Sequence, residues 1–569
     1  MQFIVKNLLY PLFLTLPLYV LAQTTYPEQG NKYQHWLSRM EIRMQRNATS
    51  NLLSPKSLSR QQVVQVASKA DSVLKYFPHF FNEVDLYNMQ SVYIQNGEWI
   101  VGDDRDLLRS NRTILGLFYK TKAHALEVQT KDFFLAVDPV LHMQYMKTAD
   151  TLEGSSLFFN SRGLQFRGMI GKKIGFSTYL TDNQERGPDY FRDRVDSLNA
   201  VPGVGFYKIF KQTGVDYFDG RGSVSFNATK YLNFQFGYDK NFIGNGYRSL
   251  FLSDIGNSYL FLKMNTRIWK LNYTNILMEL APHTADINAG DKLLDKKYAA
   301  LRHLSVNVRP WLQAGLFEAV VFGRKNHFDF TYLNPIMFLR VSEQQNGSAD
   351  NALMGFDLKA NIAGRAQLYG QVLLDEFNLK NIKSNNGWWA NKFGVQAGFK
   401  WIDLLGVKNL DLQAELNVVR PFTYSHFDSV SNYSHFNQPL AHPLGANFTE
   451  SIGILRYQPF KKWTLTLKTI LWKQGFDSVG TASNMGSDIF KLNNTRSAGE
   501  YGYGLPSGPV YNGMNAQCHL SFELKENLFL EATGSYRKLQ FPATFNSSRD
   551  LKMVSVGIRW NALRREYDY

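Results

Sequence analysis

Short segments in which apolar and polar residues alternate dominate this chain after about residue 98. Examples of the apolar positions are Leu164, Phe166 and Ile170; Leu232, Phe234 and Phe236; and Val554, Val556 and Ile558. Side chains of a β-strand point alternately to its two faces, so this period of two predicts strands with one apolar face.

Residues 23–97 have a different pattern, which predicts short amphipathic helices within Trp36–Met44, Ser59–Ala70 and Asp85–Val92, with Ser59 as an N-cap. Helices of this length and polarity are too short to span a bilayer. We expect them to form a small periplasmic bundle against the mouth of a barrel.

Connections between the strands are of two kinds. Short breaks such as Thr229–Lys230 contrast with long polar connections, which are Thr181–Gly222, Ser342–Asn351, Ser425–Asn447 and Gln474–Gly513. Transmembrane β-barrels show this asymmetry, with short turns in the periplasm and long loops outside the cell. We therefore predict an all-β fold, a transmembrane antiparallel barrel over residues 98–569 with roughly 16 to 20 strands.

The first 22 residues resemble a cleavable export signal, with Lys6, an apolar stretch and cleavage expected after Ala22. Aromatic residues form 14% of the chain, as the interface girdles of an outer-membrane barrel require. A secreted β-sandwich array or a propeller also fits this composition, although no fixed-period repeat is present.

A single cysteine, Cys518, excludes an intrachain disulfide framework. The net charge of +15 favours acidic glycans or lipopolysaccharide phosphates as partners rather than nucleic acid, unless it reflects only a solvated basic surface.

Common catalytic and nucleotide-binding signatures are absent, and no cofactor is expected. Gly244-Asn245-Gly246 is interpreted as a tight turn rather than a dinucleotide loop. The spacing of His426, His435 and His442 fits no compact metal site. His303 and Glu318 could meet across a short turn near Pro310. The sequence favours a buried ion pair or hydrogen bond in the lumen, and the alternative is the catalytic site of a barrel hydrolase.

Several segments together resemble the Wzi family of outer-membrane capsule-assembly proteins. Gly244-Asn245-Gly246 precedes Ser249-Leu250-Phe251-Leu252-Ser253, where the family has a Gly-Pro-Gly-type turn before Ser-Leu-x-Leu-Ser. The further matching positions, in order, are His303, Glu318, Asn334, Pro335, Asp350, Asn351, Asp357, Gln371, Asp375 and Glu376. The match covers about residues 230–450, and a weaker segment runs over Glu415–Tyr424.

This resemblance implies an eighteen-stranded barrel, a periplasmic helical bundle and non-catalytic binding of surface polysaccharide. The high Asn, Lys and aromatic content suggests a Bacteroidetes source, where Wzi-like barrels include gliding-motility proteins of the RemB type.

We therefore predict an outer-membrane protein of a Gram-negative bacterium that binds or organises an acidic extracellular polysaccharide without turning it over. The candidate glycan-binding side chains are Trp388, Trp389, Tyr424, Tyr433, Arg186, Arg194 and Lys392. The alternatives are a gliding-motility or adhesion protein, with other surface-machinery proteins as partners, and a porin-like solute channel.

Overall fold

The computed structural model describes residues 25–27, 31–45, 54–100, 103–110, 113, 115–149, 156–171, 173–284, 293–336, 338–347, 349–478, 483–542 and 548–569. The predicted export signal lies outside these residues. Within them, eighteen long antiparallel strands pair in chain order and form a closed wall. Closure occurs because the first wall strand pairs with both the second and the last. The predicted barrel is confirmed.

The wall strands are β1 (Phe133–Thr148), β2 (Leu157–Ile170), β3 (Ile174–Arg186), β4 (Gly214–Asn227), β5 (Leu232–Asp239), β6 (Tyr259–Ile268), β7 (Leu271–Leu280), β8 (Lys297–Arg309), β9 (Leu312–Phe322), β10 (Asn351–Ile362), β11 (Ala366–Glu376), β12 (Lys392–Trp401), β13 (Leu410–Val419), β14 (Phe448–Phe460), β15 (Trp463–Gly475), β16 (Val510–Lys525), β17 (Leu528–Gln540) and β18 (Ser548–Trp560). Short strands at Leu126–Gln129 and Lys208–Phe210 pair with β1 and β4.

The alternating pattern places polar side chains inside the barrel and apolar ones outside. On β10, Asp357 and Lys359 are buried in the lumen, whereas Met354 and Phe356 are exposed on the outer wall. Exposed aromatic residues gather at the end with short turns, and they are Tyr231, Trp269, Trp311, Trp401, Phe460 and Trp463. An apolar outer band with an aromatic girdle is the surface that lipid requires.

Among the described residues before the wall are three α-helices: α1 (Gln34–Met44), α2 (Arg60–Tyr76) and α3 (Glu83–Gln95). Ser59 caps α2 in a capping box with Gln62, as the sequence indicates. The helices share a core that includes Trp36, Met40 and Val63. Among the described helices, none combines the length and apolar character that crossing a membrane requires.

The helical bundle docks on the short-turn end of the wall. Arg39 of α1 forms ion pairs with Asp403 and Asp411 at the β12–β13 turn. On α3, Tyr87 donates to Glu523 and Ser91 donates to Glu526 at the β16–β17 turn. The bundle therefore covers this mouth of the barrel.

Two predicted boundaries were wrong. The first long strand begins at Phe133 rather than near residue 98, because 3₁₀ turns and the short Leu126–Gln129 strand intervene. The predicted long loop Thr181–Gly222 overlaps two strands, since β3 extends to Arg186 and β4 begins at Gly214. Residues 181–186 are polar on both faces of the strand, so the sequence shows no alternation of apolar and polar positions there.

Three further helices in the described part of the chain lie at the long-loop end: α4 (Asp189–Leu198), α5 (Leu339–Gln345) and α6 (Leu379–Lys383).

Candidate functional site

The β5–β6 connection, residues 240–258, folds into the lumen and is named the infolded loop. Leu250 and Phe251 are completely buried in the main core cluster. The Phe251 ring stacks on Phe317 of β9 with the ring centroids 4.4 Å apart. At its deepest part the loop meets the bundle, where Lys56 forms an ion pair with Asp254 at 2.9 Å. The infolded loop thus crosses the lumen from the long-loop end to the bundle.

Wall side chains hold the backbone of this loop. Gln371 Oε1 accepts from the Leu250 amide at 2.8 Å, and within the loop itself Ser249 Oγ donates to the Ile243 carbonyl. The Glu415 carboxylate accepts from the amides of Tyr247 at 2.7 Å and Arg248 at 3.1 Å. These contacts satisfy buried amides that would otherwise be costly in a closed interior.

Inward-facing glycines provide the space for the infolded loop. A Cβ at Gly355 would collide with the Phe251 ring, and one at Gly246 would collide with the Glu415 carboxylate. The Gly244-Asn245-Gly246 segment is a bend inside the lumen, as its interpretation as a turn predicts. Leu252 pairs with Ile243 across the loop, and the Ser253 amide donates to Leu440.

The β13–β14 connection, residues 420–447, is named the capping loop because it covers the infolded loop. Tyr424 and Tyr433 are each 1% exposed, and their hydroxyls donate to the carbonyls of Leu250 and Phe251. Burial raises the pKa of both phenols well above the ordinary value. The prediction that these two rings stack on glycan is therefore wrong, because they fix one loop onto the other.

The segment after β18, residues 561–569, folds back into the lumen and is named the tail. The Asp568 carboxylate accepts from Lys468 Nζ at 2.9 Å, and the Tyr567 hydroxyl donates to Glu185 at 2.6 Å. Arg565 also pairs with Glu185 at 3.1 Å. The tail thus joins the wall strands β3 and β15 through the interior.

His303 and Glu318 do not meet. In the β8–β9 register, Arg302 is opposite Glu318 and His303 is opposite Phe317, so the two predicted partners face opposite sides of the wall. His303 points into the lumen, where its Nε2 lies 2.6 Å from Asp357 Oδ1. This geometry contradicts the hydrolase hypothesis that joined His303 to Glu318.

Other positions of the resemblance form polar contacts at the long-loop end. Lys392 is completely buried between Asp375 at 3.2 Å and Glu376 at 2.8 Å. Its predicted role in glycan binding is therefore wrong, since both acids already neutralise it. Asp350 pairs with Arg324 at 2.6 Å, beside Asn351 at the start of β10.

The three loop histidines serve separate structural purposes. His435 accepts from the Ala281 amide and donates to the Ser258 carbonyl, each at 3.0 Å. His442 contacts Glu450 at 2.7 Å, and His426 stacks on Phe427 with centroids 4.1 Å apart. Among the described residues, no group of three His, Cys, Asp or Glu is placed to hold a metal.

Trp388 and Trp389 lie half-buried in the β11–β12 loop at the outer surface. Trp389 Nε1 donates to Glu500 at 2.7 Å, and the Arg496 guanidinium lies 4.0 Å from the centroid of the Trp389 ring. The Trp389 hydrogen bond, together with Arg496, lowers the pKa of Glu500. Trp388 packs against Trp389 at 6.4 Å, so the two rings form an ordered platform.

The two predicted arginines also lie at the long-loop end. Arg186, half-buried, lies 6.0 Å from the Phe158 ring, and Arg194 of α4 donates to the Pro443 carbonyl at 2.5 Å. Arg194 therefore ties α4 to the capping loop, and burial lowers its pKa. The glycan-binding roles of both arginines stay predictions.

A cavity of about 620 Å³ remains in the lumen between the bundle, the infolded loop, the tail and the wall. Its lining includes several arginines and two histidines, among them Arg39, Arg248, Arg456, Arg565, His35 and His519. Three residues that organise this interior are Glu415, Arg248 and Asp568. From the sequence, Glu415 was placed only in a weaker matching segment, and no role was assigned to Arg248 or Asp568. The polar series Asp411, Gln413, Glu415 and Asn417 on one face of β13 was the available signal.

Comparison with known proteins gave structural matches alone. No protein-family model and no curated protein sequence matches the chain. The chain is similar to Wzi from Escherichia coli, an outer-membrane protein involved in Group 1 capsule assembly and described as a carbohydrate-binding β-barrel, at 14% identity and TM-score 0.52. That alignment covers 95% of this chain and 99% of Wzi.

Similarity to other barrels is weaker. OprD from Pseudomonas aeruginosa aligns at 12% identity and TM-score 0.40, over 78% of this chain and 97% of OprD. OccAB2 from Acinetobacter baumannii aligns at 8% identity and TM-score 0.41, over 75% of this chain and 98% of OccAB2. The likeness to Wzi, at its low identity, shows the fold: a closed eighteen-stranded antiparallel β-barrel of the outer-membrane type.

Proposed function

We propose that this protein is exported to the outer membrane of a Gram-negative bacterium and there binds or organises a surface polysaccharide without turning it over. The observation that carries the proposal is the occupied lumen. The infolded loop, the capping loop and the tail occupy much of the lumen, and the helical bundle covers its short-turn end. A barrel closed in this way serves as a rigid platform for its outer loops.

The platform of Trp388 and Trp389 is our candidate surface for the sugar. Indole rings stack on the apolar faces of sugars while their edges form hydrogen bonds. Arg496 already covers one face of Trp389, so Trp388 is the ring that remains for a ligand. Arg186 and Arg194 are the predicted partners for acidic groups on the polysaccharide.

Two features support a glycan over other ligands. The outer platform combines indole rings with the Arg496–Glu500 ion pair, which suits a ligand with both apolar faces and hydroxyl groups, such as a sugar. The structurally similar Wzi is described as carbohydrate-binding. The biological setting stays open in our proposal: capsule assembly, or adhesion and gliding of the RemB type, with lipopolysaccharide and other surface proteins as partners.

Binding of purified barrel in detergent to polysaccharide extracted from the source cells tests this proposal. Trp388→Ala is expected to weaken binding at least fivefold, which corresponds to the about 1–3 kcal/mol that one ring stacked on a ligand contributes. Trp311→Ala is the matched control, because this exposed indole lies at the short-turn end. Absence of binding by the unmodified protein, or equal loss in both variants, would contradict the proposal.

The second candidate function is a solute channel, and the cavity of about 620 Å³ favours it. A channel needs a continuous water path, whereas the infolded loop and bundle meet across the lumen. Conductance in planar bilayers distinguishes the two functions, because a channel produces stable conductance steps and an occupied barrel produces none.

A further inference from the structure

The β9–β10 connection, with described residues 323–336, 338–347 and 349–350, lies on the outside of the barrel and is named the outer-wall loop. Phe328, Tyr332 and Leu339 pack against Tyr298 and Phe322, which face outward on β8 and β9. The loop therefore covers part of the wall that elsewhere faces lipid.

The loop reaches far down the wall. Arg302 donates to the carbonyls of Tyr332 and Asn334, and the Tyr273 hydroxyl donates to Pro335 at 2.7 Å. Arg302 lies five residues into β8, roughly 13 Å below the long-loop end for a strand tilted about 40°. At that level Glu318 is opposite both Arg302 and the exposed Met354. The tip of the loop thus lies beside the apolar outer band.

Irregular backbone in hydrocarbon is unfavourable unless its polar groups have partners. The wall provides these partners through outward-facing polar side chains. Arg302 donates hydrogen bonds to two carbonyls of the loop, and Glu318 Oε2 accepts a hydrogen bond from the Leu339 amide at 2.6 Å. A charged pair on the lipid face would itself be costly, but the loop shelters it. Loop and wall therefore provide hydrogen-bond partners for several of each other's polar groups.

The loop also exposes several apolar side chains, with Asn334 and the half-exposed Arg340, which pairs with Glu343, beside them. Exposed fractions reach 88% for Ile336 and 77% for Phe330, and the remaining exposed apolar residues are Leu333, Phe338 and Val341. This face continues the lipid-facing surface at Leu316 and Met354, both at least half exposed. Continuity with the lipid band identifies the occupant as acyl chains.

We infer that the outer-wall loop is embedded in the outer leaflet and presents Phe330, Ile336 and Phe338 to lipid acyl chains. The loop widens the apolar perimeter of the barrel on the side of β8–β10. This inference does not depend on polysaccharide binding.

The test uses the full mature chain with Cys518→Ala, labelled with an environment-sensitive fluorophore at Ile336→Cys and, separately, at Phe330→Cys. Leu316→Cys on the outer wall is the lipid-facing control, and Ser68→Cys on the exposed face of α2 is the aqueous control. Each variant is reconstituted in phosphatidylcholine vesicles with or without spin-labelled acyl chains.

Both loop positions are expected to show blue-shifted emission and quenching by spin-labelled lipid within twofold of Leu316→Cys, and little quenching by aqueous iodide. Quenching by iodide as at Ser68→Cys would overturn the inference. Shielding from both quenchers would also overturn it, since a second copy or another protein would then cover the loop.

Discussion

His303 and Asp357 face each other inside the barrel across Gly315, which lies on the strand between them. The Nε2–Oδ1 distance is 2.6 Å, and a Cβ at Gly315 would collide with both side chains. Strands β8 and β10, which do not pair directly, are thus joined through the lumen because Gly315 on β9 between them has no side chain.

Gly315→Ala is expected to separate this pair and lower the apparent melting temperature of the barrel in detergent, with a loss of about 1–3 kcal/mol from overpacking. The unfolding-dependent gel shift of barrels provides the measurement. Gly453→Ala in β14 is the control, because a Cβ there meets nothing within 4 Å. Equal melting temperatures for the two variants would contradict the proposal that Gly315 leaves the space for the His303–Asp357 contact.

The contact between bundle and wall depends on Arg39. This side chain is 3% exposed and pairs with Asp85, Asp403 and Asp411. Asp411→Ala removes one of the three carboxylates around this guanidinium and leaves one of its buried donors without its partner, so the substitution is expected to cost about 1–3 kcal/mol. The bundle should then become sensitive to limited proteolysis. Lys461→Ala, which removes the exposed pair with Glu83, should change proteolysis little.

Phe251 anchors the infolded loop, so Phe251→Ala should loosen it. Removal of a fully buried phenyl ring costs about 3–5 kcal/mol. Hydrogen exchange of the infolded-loop amides is expected to accelerate by at least tenfold. Phe356→Ala, on the exposed outer wall, is the control and should leave that exchange unchanged.

His435 makes the capping loop sensitive to acid. Burial lowers its pKa from 6.5 to about 4, with a further contribution from the charge of Lys297. The closed loop holds the neutral ring, whereas a released loop binds a proton near pH 6.5. The stabilisation is therefore complete above pH 6.5 and declines as pH falls to 4, by about 3 kcal/mol.

Hydrogen exchange of the capping loop between pH 7.5 and 4.5, corrected for intrinsic rates, measures this effect. His435→Gln should weaken the pH dependence. An unchanged dependence in that variant would assign the acid sensitivity to other groups.

The sequence predicted those elements whose pattern is local. Ser59 and the helices, wall strands such as β2, β5 and β18, and the bend at Gly244–Gly246 all follow from capping, alternation or glycine content. Alternation alone could not have separated His303 from Glu318, because a spacing of fifteen across a two-residue turn would place them directly opposite each other on one face. The register shift between Asn307 and Arg309 moves the pairing by one residue, so the two side chains point to opposite faces.

Positions set by long-range packing could not be predicted in this way. Tyr424 and Tyr433 resemble ligand-binding loop aromatics in sequence, yet their hydroxyls bind carbonyls of residues far earlier in the chain. Lys392 likewise looks like an exposed cation until β11 places Asp375 and Glu376 beside it. The role of each of these side chains depends on which distant segments pack around it, and the residue type alone does not reveal that.

Single-channel recording in planar bilayers tests the central claim of an occupied lumen most directly. The mature chain should insert without producing stable conductance steps, because the infolded loop, tail and bundle interrupt the water path. Long-lived steps of porin size from the unmodified protein would contradict the claim and favour transport through the barrel.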